Sequence, residues 1–481
     1  MKQLKKILFI YPGRENESLA IENLSASLKR QGHKTDLILD YENKKFFKGR
    51  LIKRINDFQP DFICFSVMTD DYAWACKISR FIKENYNIPI IFGGIHITSC
   101  PEEVINKEFI DYVVLGEGDE AIVELVENPE KTNIKNVWFK KNSKITKNPS
   151  RNLIENLNQL PFPDRMLFHK EAPYLKDIYH CMTSRGCPFN CSYCFNNFMR
   201  KFYKNKGVWL RRRSVENVIE ELKIMKKELK YKQILFVDDC FTSDVRWLLE
   251  FIRRYKKEIN VPFKAIAHPL FINKEIVSIL KKGGCIRLQI GVQTPIEKIR
   301  KEICNRNDSD EIIEKAVREI KKQKIMIQID HIFGLPSEKI EDYNKGIEFY
   351  IKLKPDYISS FWLQYYPCTD IIEIGQKYGQ INKLDLAKTI NGELRYRNII
   401  DKRISNPELL AISRFFCWIP ILPRNVSRFI LRKRLYRKLL FRNNKINKIP
   451  YLIKHLSSLN LINTVLISAK RKLQMRLYNP K

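Results

Sequence analysis

Residues 179–196 read YHCMTSRGCPFNCSYCFN. The first six have the composition of a short strand, and the glycine, proline and asparagines behind them force a loop. That loop carries Cys187, Cys191 and Cys194 in a C-x3-C-x2-C spacing with no matching fourth. Thiolates are soft ligands that suit zinc or iron–sulfur clusters. A structural zinc site needs a fourth ligand, for which His180 and Cys181 are the nearest candidates, but both fall inside the predicted strand. The tight spacing suits a loop wrapped around a [4Fe–4S] cubane, which normally takes four cysteines; three leave one iron open to a ligand.

Five more strand patterns follow: QILFVDD, FKAIAH, IRLQIGVQ, IMIQIDHIFG and YISSFWLQYY. Between them lie amphipathic stretches such as VENVIEELKIMKKEL and DEIIEKAVREIKKQK. Six βα units over some 200 residues predict a parallel TIM-type barrel left open short of eight. Polar residues gather where these strands end: Asp238 and Asp239, His268, Gln293, and Asp330 with His331. That edge of a barrel carries chemistry.

Upstream, KKILFIY, TDLILD, DFICFSVM, IPIIFGG and DYVVLG alternate with helical patterns. Continuous apolar strands between amphipathic helices predict a doubly wound, Rossmann-like parallel sheet of five strands. Its ligands would sit beyond the strand ends, on Tyr11-Pro12-Gly13, Ser66 to Asp71, Gly93 to Ser99 and Gly116 to Glu120. On these residues alone, tight turns and ligand binding explain the glycines equally. The expected organisation is 1–130 for this domain, 131–175 for a connector with a possible hairpin (NVWFKKNSKIT), 176–380 for the barrel and 381–481 for a basic, mainly helical remainder.

The cysteine motif, with Tyr193 just before its last cysteine on the loop after the first barrel strand, resembles the radical S-adenosylmethionine (SAM) enzymes. FVDDCF (236–241), IGVQT (290–294), IKKQKIMIQIDHIFGLPSE (320–338) and YYPCTDIIEIGQKYG (365–379) resemble segments of the members that carry an N-terminal cobalamin-binding domain. FGGIHITSCPEEVI, DYVVLGEGDEAIVEL and the connector NQLPFPDR are similar to the same subfamily, so the likeness covers about residues 5 to 380.

The resemblance implies that Cys187, Cys191 and Cys194 hold the cluster and that its open iron takes SAM, whose reductive cleavage gives a 5′-deoxyadenosyl radical. It places Tyr193, Asp238, Asp239, Gln293 and Gly334 around SAM, although the two aspartates could equally cap the following helix. It places Tyr11, Pro12, Met68, Thr69, Gly93, Gly94, His96, Gly116, Glu117 and Gly118 around cobalamin. No Asp-x-His-x-x-Gly stretch is present in the first domain, so cobalt is expected to lack a protein histidine, and His96 reads better as an ordering residue. Gln293 stands where many relatives have Glu, and Cys368 where a glycine is frequent. The implied reaction is methylation of an unactivated carbon of a small-molecule or lipid-like substrate, with an electron donor such as flavodoxin or ferredoxin. The alternatives are an oxidative cyclisation or rearrangement, an enzyme whose first domain has lost cobalamin, or a non-catalytic binding protein on a decayed scaffold.

The chain has 481 residues and a formal net charge of +33. Half of that excess lies in the last 81 residues, where 19 Lys and Arg face two acidic residues. In ILRKRLYRKLL, Ile430, Leu431, Leu435 and Leu439 fall at helical spacing. A solvated helical cap on the barrel fits such a segment best, a membrane-surface helix next, and RNA contact least because no RNA-binding module accompanies it. The twelve scattered cysteines lack the framework of a secreted scaffold. The N-terminal apolar run is too short for a signal peptide, and no run reaches membrane-span length. A cytoplasmic protein is expected, with peripheral membrane contact only on the second of these readings of the basic remainder.

Overall fold

A computed structural model describes residues 3–13, 16–41, 44–142, 144–393 and 406–439. The N-terminal strands β1 (Lys6–Pro12), β2 (Lys34–Asp40), β3 (Phe62–Ser66), β4 (Ile90–Gly93) and β5 (Tyr112–Val114) pair in parallel in the order 2-1-3-4-5. Helices cover both faces, which is why these strands are apolar throughout. Leu19–Arg30 lies over one face, capped by the Ser18 hydroxyl, while Lys44–Phe58 and Tyr72–Asn85 lie over the other.

The sheet does not stop at residue 130. β6 (Val137–Lys141) and β7 (Lys144–Lys147) form the expected hairpin, but it adds antiparallel to β5 and makes seven strands. The reason lies in its alternation: Val137 and Phe139 are buried, so the hairpin has an apolar face that needs covering.

The second sheet is all parallel, with its strands in sequential order. It comprises β8 (Ile178–Cys181), β11 (Gln233–Phe236), β12 (Phe263–Ala267), β13 (Cys285–Gln293), β14 (Met326–Phe333) and β15 (Tyr357–Trp362); the two-residue pair β9 (Ser184–Arg185) and β10 (Arg211–Arg212) stands apart. β8 and β15 are its two unjoined edges, giving the partial barrel expected from six units. Its helices start at side-chain caps, Ser214, Asp244, Asn273 and Ser309.

After the barrel, helices Pro407–Phe416 and Arg424–Arg432 pack on the helix Ile340–Leu353, with Phe415 and Phe416 fully buried in the barrel's outer core. The helical spacing read across residues 430–440 breaks: Arg434 is left-handed at φ 49°, and Leu435–Leu439 is a 3-10 turn. The rest of the basic remainder, 394–405 and 440–481, lies outside the described residues.

Three histidines, His96, His268 and His331, are held neutral by burial, and two of them lie away from the cysteine loop. His331, at the end of β14, has no exposed surface; its Nδ1 lies 3.0 Å from the Tyr350 hydroxyl among Phe333, Tyr350 and Phe416. Burial pushes it down to about 3. His96 is equally enclosed, against Tyr72 and 3.2 Å from the Thr69 hydroxyl, and burial takes it down to about 4. An unfolded histidine takes its proton near 6.5, so these sites cost nothing above that pH and oppose folding increasingly as pH falls toward their native values. Each contributes about 1.4 kcal/mol per pH unit in that window. Moving from pH 7.5 to 5.5 is expected to cost about 3 kcal/mol through the pair, and His331→Phe should shift the pH dependence of the urea midpoint relative to wild type by about half of that amount.

Candidate functional site

The cysteine loop leaves β8 at the carboxyl edge of the barrel, and its backbone is pinned from several sides. The Cys187 carbonyl accepts from Trp209 Nε1 at 3.0 Å and from Arg200. Ser192 takes the Cys304 carbonyl at 3.2 Å and gives its own to the Ile371 amide at 3.0 Å. Phe189 stacks on His268, at the end of β12, with ring centroids 3.7 Å apart. Gly186 is left-handed (φ 92°), and a side chain there would strike the Trp209 carbonyl. With its carbonyls occupied by the scaffold, the loop presents its three thiols, none of them in a disulfide.

Burial raises the Cys187 thiol to about 12 and that of Cys194 to about 11, with Asp239 and the neighbouring cysteines adding to both. Such thiols ionise when a cation is supplied. Among the described residues no three His, Cys, Asp or Glu side chains converge on one point. A cubane, where each cysteine takes a different iron, does not ask for convergence, whereas a single zinc does. The two candidates for a fourth ligand are spent: His180 Nδ1 lies 3.1 Å from Glu17, and Cys181 is fully buried in the barrel core. The donor set therefore fits a cluster with one open position.

The two aspartates after β11 have different tasks. Asp238 is 1% exposed and accepts from the Thr183 amide, from the Thr183 hydroxyl at 2.7 Å and from the Ser184 hydroxyl. It is an anchor for the segment entering the cysteine loop, and its expected role at SAM is corrected on that ground. Asp239 instead opens onto the cysteine loop, where it takes a hydrogen bond from Asn196, whose amide also lies 3.8 Å from Cys194 Sγ. The surrounding protein and Asp238 together raise it to about 6, burial being the larger cause.

Tyr193 packs into an apolar layer with Ile332, Leu335 and Leu363. Gln293 is half-buried and left-handed (φ 68°) at a bulge where β13 meets His331 of β14, its amide folded over Gly291. Gly334, at φ 79°, donates its amide to the Tyr343 hydroxyl at 3.0 Å and lines a cavity of about 440 Å³ beside β15. Arg306, which the sequence reading passed over, is 6% exposed and holds the Gly291 carbonyl at 2.7 Å and both Asp308 oxygens at 3.0 Å. Against burial, Tyr193, Asp308 and Cys191 raise its pKa, so its charge is felt at the Cys191 end of the loop.

A second cavity, about 260 Å³, opens at the carboxyl edge of the N-terminal sheet. Its walls are mostly apolar, from Leu24 on one side to Phe65 and Val114 on the other, and Gly93, Gly94, Gly116 and Gly118 border it, with Glu117 at the edge, its carboxylate turned to Arg211. At Gly94 (φ 102°) a Cβ would stand 2.7 Å from the Val67 backbone, and at Gly116 it would collide with the Tyr203 hydroxyl. These glycines let strand ends approach closely and keep the cradle open, which fits a flat organic group such as an arm of cobalamin.

The other residues expected around cobalamin do not line this cavity with their side chains. Tyr11 is buried against Phe168, with ring centroids 5.8 Å apart, and Pro12 ends β1 beside it, so neither borders the cavity. Thr69 is buried and committed to His96, which is itself sealed from the edge. Met68 stands 44% exposed just after β3 but outside the cavity lining. The Glu117 carboxylate faces the barrel, accepting from Arg211 at 2.8 and 3.0 Å, with Arg185 at 3.3 Å.

Arg185 also holds Asp119 through both carboxylate oxygens, at 2.9 and 3.0 Å. Because Arg185 lines the cavity and lies two residues before Cys187, it ties the cavity to the cysteine loop. The acidic GEGDE and the basic SRGC were the signals that could have found this clamp; which acid meets which base was not readable across 66 residues.

A family model for the radical SAM superfamily matches residues 182–350, and one for the B12 binding domain matches residues 5–126. An uncharacterized methyltransferase of Pyrococcus horikoshii is 28% identical over 444 residues, 88% of this chain and 95% of that protein. An anaerobic magnesium-protoporphyrin IX monomethyl ester cyclase of Rubrivivax gelatinosus is 22% identical, over 77% of this chain and 70% of its own. Among solved structures, the cobalamin-dependent SAM radical enzyme OxsB, with aqua-cobalamin and SAM bound, superposes with a TM-score of 0.66 at 16% identity, over 99% of this chain and 80% of that one. The radical SAM methyltransferase TsrM from Kitasatospora setae, with cobalamin and a [4Fe–4S] cluster bound, gives 0.65 at 15% identity, over 91% and 100%. At these identities the superpositions establish the shared fold.

Proposed function

Since this chain belongs to the radical SAM superfamily, carries an N-terminal B12-binding domain and is an enzyme, we propose that it is a cobalamin-dependent radical SAM methyltransferase acting on an unactivated carbon. The observation that supports this reading is the clamp: Arg185, which lines the N-terminal cavity and lies two residues before Cys187, pairs with Asp119 and so ties the cavity to the loop of Cys187, Cys191 and Cys194. When bound, the cluster supplies an electron to cleave SAM and cobalamin supplies a methyl group.

The chain's own residues bind, orient and exclude water. Cys187, Cys191 and Cys194 would hold the cluster. Asp239 would meet the cationic amino group of SAM, and Tyr193 and Gln293 would border its nucleoside. Gly93, Gly94, Gly116 and Gly118 would border cobalamin. Arg306, whose charge is felt at the Cys191 end of the loop, offsets part of the negative charge that three thiolates bring. The apolar layer of Ile332, Leu335 and Leu363 keeps water from this side of the site.

A cyclase is the second reading, favoured by the cyclase likeness over three quarters of the chain. Both readings need iron and corrinoid in one chain. Protein reconstituted anaerobically with iron, sulfide and hydroxocobalamin, then desalted, is expected to keep about four irons and one cobalt per chain. One zinc and no cobalt would overturn both.

A further inference from the structure

The helix Arg424–Arg432 turns one side to the protein, and among the described residues nothing covers the other. Ser427 is buried, and Ile430 and Leu431 pack on the outer core of the barrel. Arg428 pairs with Glu348 at 3.2 Å, and Arg424 donates to the Lys352 carbonyl at 3.1 Å, so the helix is fixed on Ile340–Leu353. At helical spacing the opposite side carries Val426, Phe429, Arg432 and Lys433, with Arg434 beside them. Phe429 is 55% exposed and Val426 is 38% exposed. The helix contains no acidic residue, and residues 440–481 add nine Lys and Arg and no Asp or Glu.

Leaving phenylalanine and valine in water beside three cations costs stability unless something covers them. That arrangement, apolar groups ringed by Lys and Arg on a fixed helix, is suited to the boundary between lipid headgroups and acyl chains. Nucleic acid would use the charges but gains little from an exposed valine. The neighbouring helix Pro407–Phe416 strengthens the lipid assignment: its Leu409, with Phe333, Trp362 and Leu363, walls the 440 Å³ cavity beside β15, so the same C-terminal unit borders an apolar space.

We propose that the face formed by Val426, Phe429, Arg432, Lys433 and Arg434 docks the protein on an anionic lipid bilayer. The docking stands independently of the reaction proposed above and is read without turnover. Full-length protein is sedimented with vesicles of phosphatidylcholine and phosphatidylglycerol in equal parts, and with phosphatidylcholine alone, in low salt and in 0.5 M NaCl. It is expected to pellet with the anionic vesicles only, and high salt should release most of it. R432Q/K433Q/R434Q should weaken the partition by roughly a hundredfold. V426S/F429S should weaken it about tenfold with the charge unchanged. Circular dichroism matching wild type in both variants reports an intact fold, and the salt comparison needs no variant. Either variant pelleting like wild type, equal pelleting with neutral vesicles, or retention by a 20-nucleotide RNA in place of vesicles would overturn the proposal.

Discussion

Cys191→Ala is expected to leave the chain folded and to reduce 5′-deoxyadenosine formation from SAM by at least ~10³-fold, with bound iron falling well below that of wild type. The loop does not depend on the thiol for its shape. It is held by Trp209 and Arg200 on the Cys187 carbonyl, by Ser192 on the segment 303–304, and by the Phe189–His268 stack. The neighbouring thiols Cys181 and Cys304 do not stand in for it, because both are fully buried in apolar clusters, where burial raises them well above the usual thiol range. Cys304→Ala is the matched control: iron and cleavage should persist, with a modest loss of stability from a small cavity. Iron counting with chromatography of the nucleoside product checks both. Loss of iron in Cys304→Ala with retention in Cys191→Ala would invert the assignment.

The second large effect is expected at the joint between the two sheets. Arg165 is 1% exposed; it donates to Glu17 at 2.9 Å, to Glu22 and to the His180 carbonyl, and lies 4.5 Å over the Tyr179 ring. Glu17 also faces His169 at 3.3 Å and His180 at 3.1 Å. One guanidinium thus joins the entry to the N-terminal helix, the connector and β8. Burial and the neighbouring carboxylates hold Glu22 well above its ordinary value despite Arg165, while Arg165 and the two histidines hold Glu17 well below.

Removing Arg165 alone strands two buried acids. Arg165→Met should therefore cost about 3–5 kcal/mol in urea unfolding. Converting the acids as well, E17Q/E22Q/R165M, should recover most of the loss, since a buried ion cluster replaced whole is often close to neutral. A single variant within about 0.5 kcal/mol of wild type would show that the cluster does not hold the joint.

The outline of the molecule was legible because periodicity reports burial. Apolar runs marked the parallel strands, and the spacing of helical segments gave six barrel units, which the sheet order β15-β14-β13-β12-β11-β8 realises. Loop positions at strand ends also located the candidate site, since C-x3-C-x2-C and the glycine pairs lie where the topology brings ligands. Illegible were the long-range partners that decide what each polar side chain does. Asp238 and Asp239 are adjacent in sequence, yet the first is consumed by Thr183 and Ser184 and only the second faces the thiols. Glu117 read as a ligand contact because it sits between two glycines, and its carboxylate instead answers Arg211, 94 residues away. His96 reads in the sequence as an ordering residue, and the short helix Ile95–Ser99 does turn it inward, but its partners Tyr72 and Thr69 were not readable. The hairpin joined the first sheet rather than serving as a connector because an apolar edge was open to it.

The central claim is one site that spends SAM in two ways, on radical formation and on methyl supply. It is tested most directly by the products that anaerobically reconstituted protein makes from SAM, cobalamin and a reductant. The reading predicts that 5′-deoxyadenosine and S-adenosylhomocysteine both accumulate, and that removing cobalamin suppresses the second while sparing the first. Deoxyadenosine alone, with no homocysteine product in the presence of cobalamin, would contradict methyl transfer and leave the cyclase reading standing.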